Sequence, residues 1–249
     1  MRTVDLGGVD IAYTEVGQGV PLICLHGGMG IDGGVLRVPG ILDLAKGGVR
    51  VLIPDQRGHG RSSRPPVASL THATWASDVR GLAKQLGLSR FALLGHSYGG
   101  FIALEYAVRW PNSVTHLVLV ATSAGPVSAE AAVVSTDGDV RAHFRNQWPG
   151  FFEGEDKHWD LFEQLEFSAD PYRAAFESEL PRYDLRDRVR ELRMPKLLVV
   201  GARDPYLSHM QWLADNTCAT LSVLENVGHL PFLEAPSEFG KAVVSFLRA

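Results

Sequence analysis

Short apolar runs alternate with amphipathic segments over most of this chain, and that alternation restricts the fold more than any other feature. Strand-like RFALLGHS and VTHLVLVATS flank the helical pattern of FIALEYAVRWP, and PKLLVVGA, MQWLADN, TLSVLEN and EFGKAVVSFL repeat the order. Successive strands joined by helices pair in parallel through right-handed crossovers. Because strands that are apolar throughout need cover on both faces, the sequence predicts an α/β chain with a mostly parallel central sheet and helices on both faces.

The alternation stops between Ser123 and Pro195, in a stretch rich in aromatic residues. Ten of the 22 aromatic residues lie between His143 and Tyr183. A connection this long needs structure of its own, and KHWDLFEQLEF and YRAAFESELPRY have helical patterns. We predict a helical cap over 125–192, inserted into a core formed by 1–124 and 193–249. Ligands bind at the carboxyl ends of strands in open α/β sheets, so the cap would roof the substrate pocket.

Five aromatic residues of the cap are candidates for the pocket wall. Each of them could instead pack the cap onto the core, and the sequence leaves that alternative open. The candidates are Trp148, Phe151, Phe152, Trp159 and Phe162.

A glycine-flanked serine stands between a strand-like run and a helical run. The motif G-x-S-x-G covers Gly95 to Gly99 in RFALLGHSYGGFIALEY. In that context the serine occupies a strained strand-to-helix turn, where glycine relieves crowding with neighbouring backbone. The helix that follows directs free N–H groups toward an oxyanion forming above the serine. Ser97 is therefore the predicted nucleophile.

A serine hydroxyl needs a base to take its proton and an acid to orient that base. Among nine histidines, His229 follows the last strand-like run in LSVLENVGHLPFLEAP. Asp204 follows another apolar run in LLVVGARDPYLS, although an aspartate there could also cap the next helix. The chain order of serine, acid and histidine favours a triad of Ser97, Asp204 and His229.

An oxyanion hole requires two N–H donors. One is expected from Tyr98, the residue after the nucleophile. The other is expected from the glycine-rich loop after PLICLHG, where Gly28 is the first choice and Met29 the reserve.

The same glycine-rich loop could instead be a dinucleotide-binding site. The pattern G-x-G-x-x-G, formed by Gly28, Gly30 and Gly33, follows a strand, and Asp55 stands where a ribose-binding acid would be expected. The run GGMGIDGGVLRVPG is too rich in glycine to form a first helix, so a loop is the better interpretation. No zinc or nucleotide motif occurs, and we expect neither metal nor cofactor.

The charge balance excludes several classes of partner. With 24 basic and 28 acidic residues the formal charge is −4, which offers no attraction to nucleic acid or anionic membranes. No apolar run is long enough to span a membrane, and the N-terminus lacks the pattern of a signal peptide. We expect a cytoplasmic protein with a small-molecule ester or amide substrate.

Cys24 and Cys218 are expected to be buried, reduced thiols.

The motifs taken together resemble the α/β-hydrolase superfamily over nearly the whole chain. HGG-x-G at His26 to Gly30, DQRGHGRS from Asp55 and HSYGGFIALEYAVRWP are most similar to proline iminopeptidases and their esterase relatives. The resemblance implies the α/β-hydrolase fold, the triad and the oxyanion hole named above. It also implies that the turn carrying Asp55 and Arg57 is structural rather than catalytic.

Two departures from the iminopeptidase pattern concern the substrate. Met29 replaces the proline of HGGPG, and GHSYGG stands where GGSWGS is usual. Iminopeptidases use cap acids to hold the substrate's free amine, and most helical acids are solvated surface residues. The available acids here are Glu153, Glu155, Glu163, Glu166, Glu177 and Glu179. We therefore favour ester hydrolysis, including lactones, over the alternative of N-terminal prolyl peptides. A ligand receptor of the same fold is a third hypothesis.

Overall fold

The computed structural model describes residues 1–127 and 134–249. Its centre is an eight-stranded sheet with the order β1-β2-β4-β3-β5-β6-β7-β8. Only β2 runs against the other strands, since it pairs antiparallel with both β1 and β4. The strands are β1 (Arg2–Asp5), β2 (Asp10–Val16), β3 (Val20–Leu25), β4 (Val49–Pro54), β5 (Phe91–His96), β6 (Val114–Val120), β7 (Lys196–Gly201) and β8 (Thr220–Leu224). The predicted mostly parallel sheet is confirmed.

Helices cover both faces of the sheet, as the apolar strands require. One buried cluster joins one face to α2, α3 and α8, and a second joins the other face to α1 and α10. The helices outside the β6–β7 connection are α1 (Pro39–Leu42), α2 (His72–Gln85), α3 (Tyr98–Arg109), α8 (Leu207–Thr217), α9 (Pro231–Glu234) and α10 (Pro236–Leu247).

The β6–β7 connection, residues 121–195, contains the remaining helices. They are α4 (Asp137–Gln147), α5 (Trp159–Gln164), α6 (Ala169–Arg173) and α7 (Arg186–Val189). Directly after α6 the chain widens into a π-helical segment, Ala174–Glu179, and then tightens into a 3₁₀ turn, Leu180–Arg182. Helical structure therefore lies over both predicted helical patterns, in shorter pieces than the patterns suggest. The predicted cap range of 125–192 includes residues 128–133, which lie outside the described residues.

Three details bear on the expectations from the sequence, and one of these expectations is wrong. The glycine-rich segment after β3 is a loop that ends in a short 3₁₀ turn, Gly33–Leu36, which agrees with the loop interpretation. Cys24 is buried, but Cys218 is exposed at the left-handed end of α8, so the expectation of two buried thiols is wrong. Within residues 1–127 and 134–249, no helix has the length and apolar character needed to cross a membrane.

Candidate active site

Ser97 lies in the turn between β5 and α3, with a φ of 50° in the left-handed region. The two glycines of the motif make this turn possible. A Cβ at Gly95 would collide with the backbone of Gly99 and Gly100, and one at Gly99 would collide with the carbonyl oxygens of Leu25 and His26. The sequence therefore gives the serine a conformation that side chains rarely adopt, at the carboxyl end of a central strand.

The structure brings the three predicted triad residues into one chain of hydrogen-bond contacts. His229 Nε2 lies 2.9 Å from Ser97 Oγ, and His229 Nδ1 lies 2.8 Å from Asp204 Oδ2. Asp204 and His229 follow β7 and β8, and both are buried. This geometry allows the imidazole to accept the serine proton while the carboxylate holds its other nitrogen.

The second oxygen of Asp204 contacts the residue before α8, although Asp204 is not the N-cap of that helix: the N-cap is Tyr206, and within the described residues no side chain caps the helix. Oδ1 accepts the backbone N–H of Tyr206 at 2.7 Å, immediately before α8 begins. One carboxylate thus orients His229 and also stabilises the start of the helix. The Tyr206 ring lies beside the His229 ring, with centroids 5.5 Å apart. Burial, followed by the nearby Asp204 carboxylate, raises the pKa of Tyr206 to about 12, so its phenol stays protonated.

His96 contributes a contact that the sequence analysis missed. Its Nε2 lies 3.0 Å from the carbonyl oxygen of His229, and its ring lies 5.0 Å from the His229 ring. Burial, and then the neighbouring His229, lowers the pKa of His96 well below its usual value. The ring is therefore neutral and can donate its Nε2–H to that carbonyl. The sequence signal for this contact was a polar residue directly beside Ser97.

The two residues expected to form the oxyanion hole both border the cavity above Ser97. Tyr98 is the first residue of α3, where backbone N–H groups have no partner within the helix. Gly28 has a φ of 58°, and a Cβ there would lie 2.8 Å from Ile31 Cδ1. Gly27 packs against Ser97, since a Cβ on it would be 2.6 Å from Ser97 Cβ. Met29, the reserve choice, is fully buried in the core away from the cavity wall.

The turn after β4 supports the glycine-rich loop from below. Burial lowers the pKa of His59 well below its usual value, and the neutral ring accepts the Gly30 N–H at 3.0 Å. Asp55 accepts the Gly33 N–H at 3.0 Å and forms an ion pair with Arg37. Side chains of the DQRGHGRS motif therefore hold the glycine-rich loop in place through its backbone and through Arg37.

A cavity of about 330 Å³ opens above Ser97 and His229. Of the five predicted wall residues, Trp148 and Phe151 line it, whereas Phe152, Trp159 and Phe162 do not. Phe152 and Phe162 pack against Trp148 without lining the cavity, and Trp159 is exposed beneath the Arg145 guanidinium. Wall residues that were not predicted include Phe101, Phe144, Tyr172, Phe176, Leu180 and Tyr206.

The described wall of the cavity carries no acidic side chain. Glu153, Glu155, Glu163, Glu166 and Glu177 are exposed, and Glu163 pairs with Arg141 and Arg145. Glu179 is half-buried and accepts the His72 N–H at 2.6 Å. Polar groups at the wall include His143, whose Nε2 lies 3.2 Å from the Tyr172 hydroxyl, and Gln147 one helical turn later. Within residues 1–127 and 134–249, no group of side chains has the composition of a metal site.

A serine at a strand-to-helix turn, followed in the chain by an acid and a histidine after later strands of one parallel sheet, is the architecture of an α/β-fold hydrolase. The model of the alpha/beta hydrolase family matches residues 22–242. The chain belongs to the α/β hydrolase family, and it is a hydrolase of that superfamily.

Individual relatives share the whole length of the chain at modest identity. A proline iminopeptidase of Lactobacillus helveticus is 26% identical over 276 residues, which cover 93% of this chain and 92% of the relative. The solved structure of Est816, described as an N-acyl homoserine lactone degrading enzyme, is 27% identical with a TM-score of 0.80, over 98% of this chain and 100% of that one. The esterase EaEST from Exiguobacterium antarcticum has a TM-score of 0.82 at 24% identity, with 97% of each chain covered, and shows the shared fold.

Proposed function

We propose that this chain hydrolyses carboxylic esters of small to medium acyl chain, lactones included, through an acyl-enzyme on Ser97. Ser97 Oγ attacks the carbonyl carbon while His229 takes its proton, and the N–H groups of Gly28 and Tyr98 stabilise the oxyanion. His229 then returns the proton to the leaving alcohol, and water repeats the sequence to release the acid. Asp204 keeps His229 in the required tautomer throughout.

The observation that carries this proposal is the uncharged, aromatic wall above the Ser97–His229 contact. A neutral acyl group gains from burial against this wall. The free amine of a peptide N-terminus would lose its hydration there without an acid among the described wall residues to compensate. A volume of about 330 Å³ lies at the small end of the range for ligand pockets, which favours short and medium acyl chains.

The same proposal assigns the helices between β6 and β7 to a cap over the core. In this interpretation residues 125–192 form the roof, and 1–124 and 193–249 form the body that carries the triad. Support comes from Phe144, Trp148, Phe151 and Phe176, which belong to the β6–β7 connection and line the cavity above Ser97.

An aminopeptidase that releases N-terminal proline is the second candidate. The similarity to proline iminopeptidases along 93% of the chain favours it. It requires an acid near the acyl site, which the described wall does not offer.

The test compares p-nitrophenyl esters from acetate to decanoate with proline p-nitroanilide. We expect ester hydrolysis that peaks at short to medium chain length and exceeds anilide hydrolysis. Ser97→Ala should lower kcat by a factor on the order of 10⁶ while the protein keeps its melting temperature.

Each other outcome has a definite meaning. Faster turnover of the prolyl anilide would replace the esterase proposal by the peptidase. Undiminished ester turnover in Ser97→Ala would remove Ser97 from the nucleophile role.

A further inference from the structure

Glu234, the last residue of α9, connects the loop that carries His229 to the β6–β7 connection. Its Oε2 accepts the backbone N–H of Gly228 at 2.8 Å. Its Oε1 accepts the backbone N–H groups of Glu153 and Gly154 at 2.8 and 3.0 Å. One half-buried carboxylate therefore holds two chain segments that are about 75 residues apart in sequence by their backbones.

The backbone of His229 is itself held on both sides. Its N–H donates to the Phe151 carbonyl at 2.7 Å, and its carbonyl accepts from His96 at 3.0 Å. The contact with the segment Phe151–Gly154 is close, since a Cβ on Gly228 would lie 2.5 Å from the Phe151 carbonyl oxygen. The Phe151 ring lies 5.4 Å from the His229 ring and lines the cavity. The position of the imidazole thus depends on the segment that also forms part of the roof.

The partners of Glu234 point to orientation rather than to charge pairing. Within the described residues the Glu234 carboxylate forms no ion pair and accepts hydrogen bonds from backbone N–H groups alone. Hydrogen bonds from N–H groups to a carboxylate are about twice as strong as neutral ones. Removing the carboxylate would release Gly228 and the roof segment from each other while leaving the hydrogen bond between His229 and Phe151 unsupported.

We propose that Glu234 is a positioning residue for catalysis: it fastens segment Phe151–Gly154 to the His229 loop, so that the roof of the cavity and the base keep one fixed relation to Ser97. A displacement of about 1 Å at a reacting group can cost about 10²-fold in rate. Loss of the Glu234 contacts should therefore lower the chemical rate more than it weakens substrate binding. The inference rests on the proposed function only in using Ser97 and His229 as nucleophile and base.

The experiment measures the chemical competence of Ser97 without relying on any substrate. A fluorophosphonate probe reacts when Ser97 Oγ forms a bond to phosphorus, fluoride leaves, and His229 takes the serine proton. The second-order rate of this labelling is compared in wild type, Glu234→Ala and Glu234→Gln, with kcat and KM for p-nitrophenyl butyrate measured in parallel. Glu238→Gln is the matched control, because Glu238 is exposed on α10, four residues further along the chain.

We expect Glu234→Ala to lower labelling and kcat by about 10- to 100-fold, with a much smaller change in KM. Glu234→Gln should fall between wild type and Glu234→Ala, because its amide keeps one acceptor oxygen and presents a donor to the other N–H groups. Glu238→Gln should label at the wild-type rate.

The opposite results are equally distinct. Wild-type labelling in a folded Glu234→Ala protein would overturn the proposal; should that variant fail to fold, wild-type labelling in Glu234→Gln would overturn it. Labelling at Ser97 without ester turnover in the wild type would contradict only the proposed substrate class. A wild-type protein that shows neither labelling at Ser97 nor ester turnover would contradict both the proposed function and the positioning role of Glu234.

Discussion

At Ser97 the left-handed backbone is held by contacts on both sides of the residue. Its N–H donates to the Val120 carbonyl at 2.8 Å, and its own carbonyl accepts from Thr122 Oγ1 at 2.8 Å and from the Gly100 N–H at 2.9 Å. A strained conformation persists only when its surroundings fix it in this way. The end of β6 therefore helps to define the position of the proposed nucleophile.

The proposed role of the Gly28 N–H as an oxyanion donor can be tested by changing this one residue. Gly28→Ala would add a Cβ 2.8 Å from Ile31 Cδ1 at a φ of 58°, which should shift the loop and its N–H groups. Losing one oxyanion donor raises the barrier by about 2.7–4 kcal/mol, so kcat should fall by about 10² to 10³ with KM little affected. Steady-state ester hydrolysis measures both.

Gly87→Ala is the control for backbone strain alone. Gly87 has a φ of 68° and open space around it, and it lies outside the described wall of the cavity. Gly87→Ala should lower the free energy of unfolding and leave kcat unchanged. An equal loss of kcat in both variants would contradict a specific role for the Gly28 loop.

At the scale of elements, α4 supplies the largest share of the unpredicted cavity wall. His143, Phe144 and Gln147, none of which was predicted, line the cavity from the C-terminal part of the helix, and the predicted Trp148 follows in a 3₁₀ turn. The helix begins with a capping box, in which Thr136 Oγ1 accepts the Asp139 N–H and the Asp139 carboxylate accepts the Thr136 N–H. Loss of the capping box at the N-terminus of α4 should therefore change the shape of the cavity, because the C-terminal end of α4 forms part of its wall.

Thr136→Ala should destabilise the start of α4 by about 1 kcal/mol. Because α4 carries wall residues, we expect KM for p-nitrophenyl hexanoate to rise several-fold while labelling of Ser97 by a small phosphonate changes little. Thr71→Ala is the matched control, since Thr71 caps α2 through the Thr74 N–H and α2 contributes nothing to the described wall. Equal KM values in the two variants would show that capping of α4 does not affect substrate binding.

The sequence predicted the central elements well because buried parallel strands are continuous apolar runs and their helices keep an apolar face. It missed β1, whose residues RTVD form a short, mostly exposed edge strand without an apolar run. Ser97 and Asp204 both lie within hydrogen-bond distance of His229, because the ends of parallel strands meet at one edge of the sheet. The residues of the cavity wall were harder to predict. Phe152 and Phe162 differ from Phe144 in the direction that their side chains face, and the sequence does not show that direction. The helical spacing of Val140, Phe144 and Trp148 was the available sequence signal for α4.

At the scale of the whole molecule, buried neutral histidines link stability to pH. Burial lowers the pKa of His72 to about 4, and it also lowers the pKa values of His26, His59 and His96. The His72 ring lies among the rings of Trp75, Tyr98 and Tyr183, with Glu179 3.4 Å from its Nδ1. The folded protein therefore binds fewer protons than the unfolded chain below the ordinary histidine pKa.

Stability should accordingly be highest above about pH 6.5 and fall as the pH drops toward 4. His72 alone accounts for about 3 kcal/mol of that fall, from the lowering of its pKa from 6.5 to about 4. Urea unfolding at several pH values measures the slope. His72→Phe keeps an aromatic ring in the same cluster, and its slope between pH 6.5 and 4 should be shallower; an unchanged slope would exclude His72 as a contributor.

The π-helical segment Ala174–Glu179 has a consequence for how the specificity of such a chain can change. An α-helix turns by about 100° per residue, and a π turn holds one residue more than an α turn. Phe176 and Leu180, which line the cavity, are placed by that extra residue. Deleting a single residue here should return the segment to α-helical winding and change which of its side chains face the cavity. We therefore expect a one-codon change in length to alter the cavity wall while the loops that carry Ser97, Asp204 and His229 stay as they are.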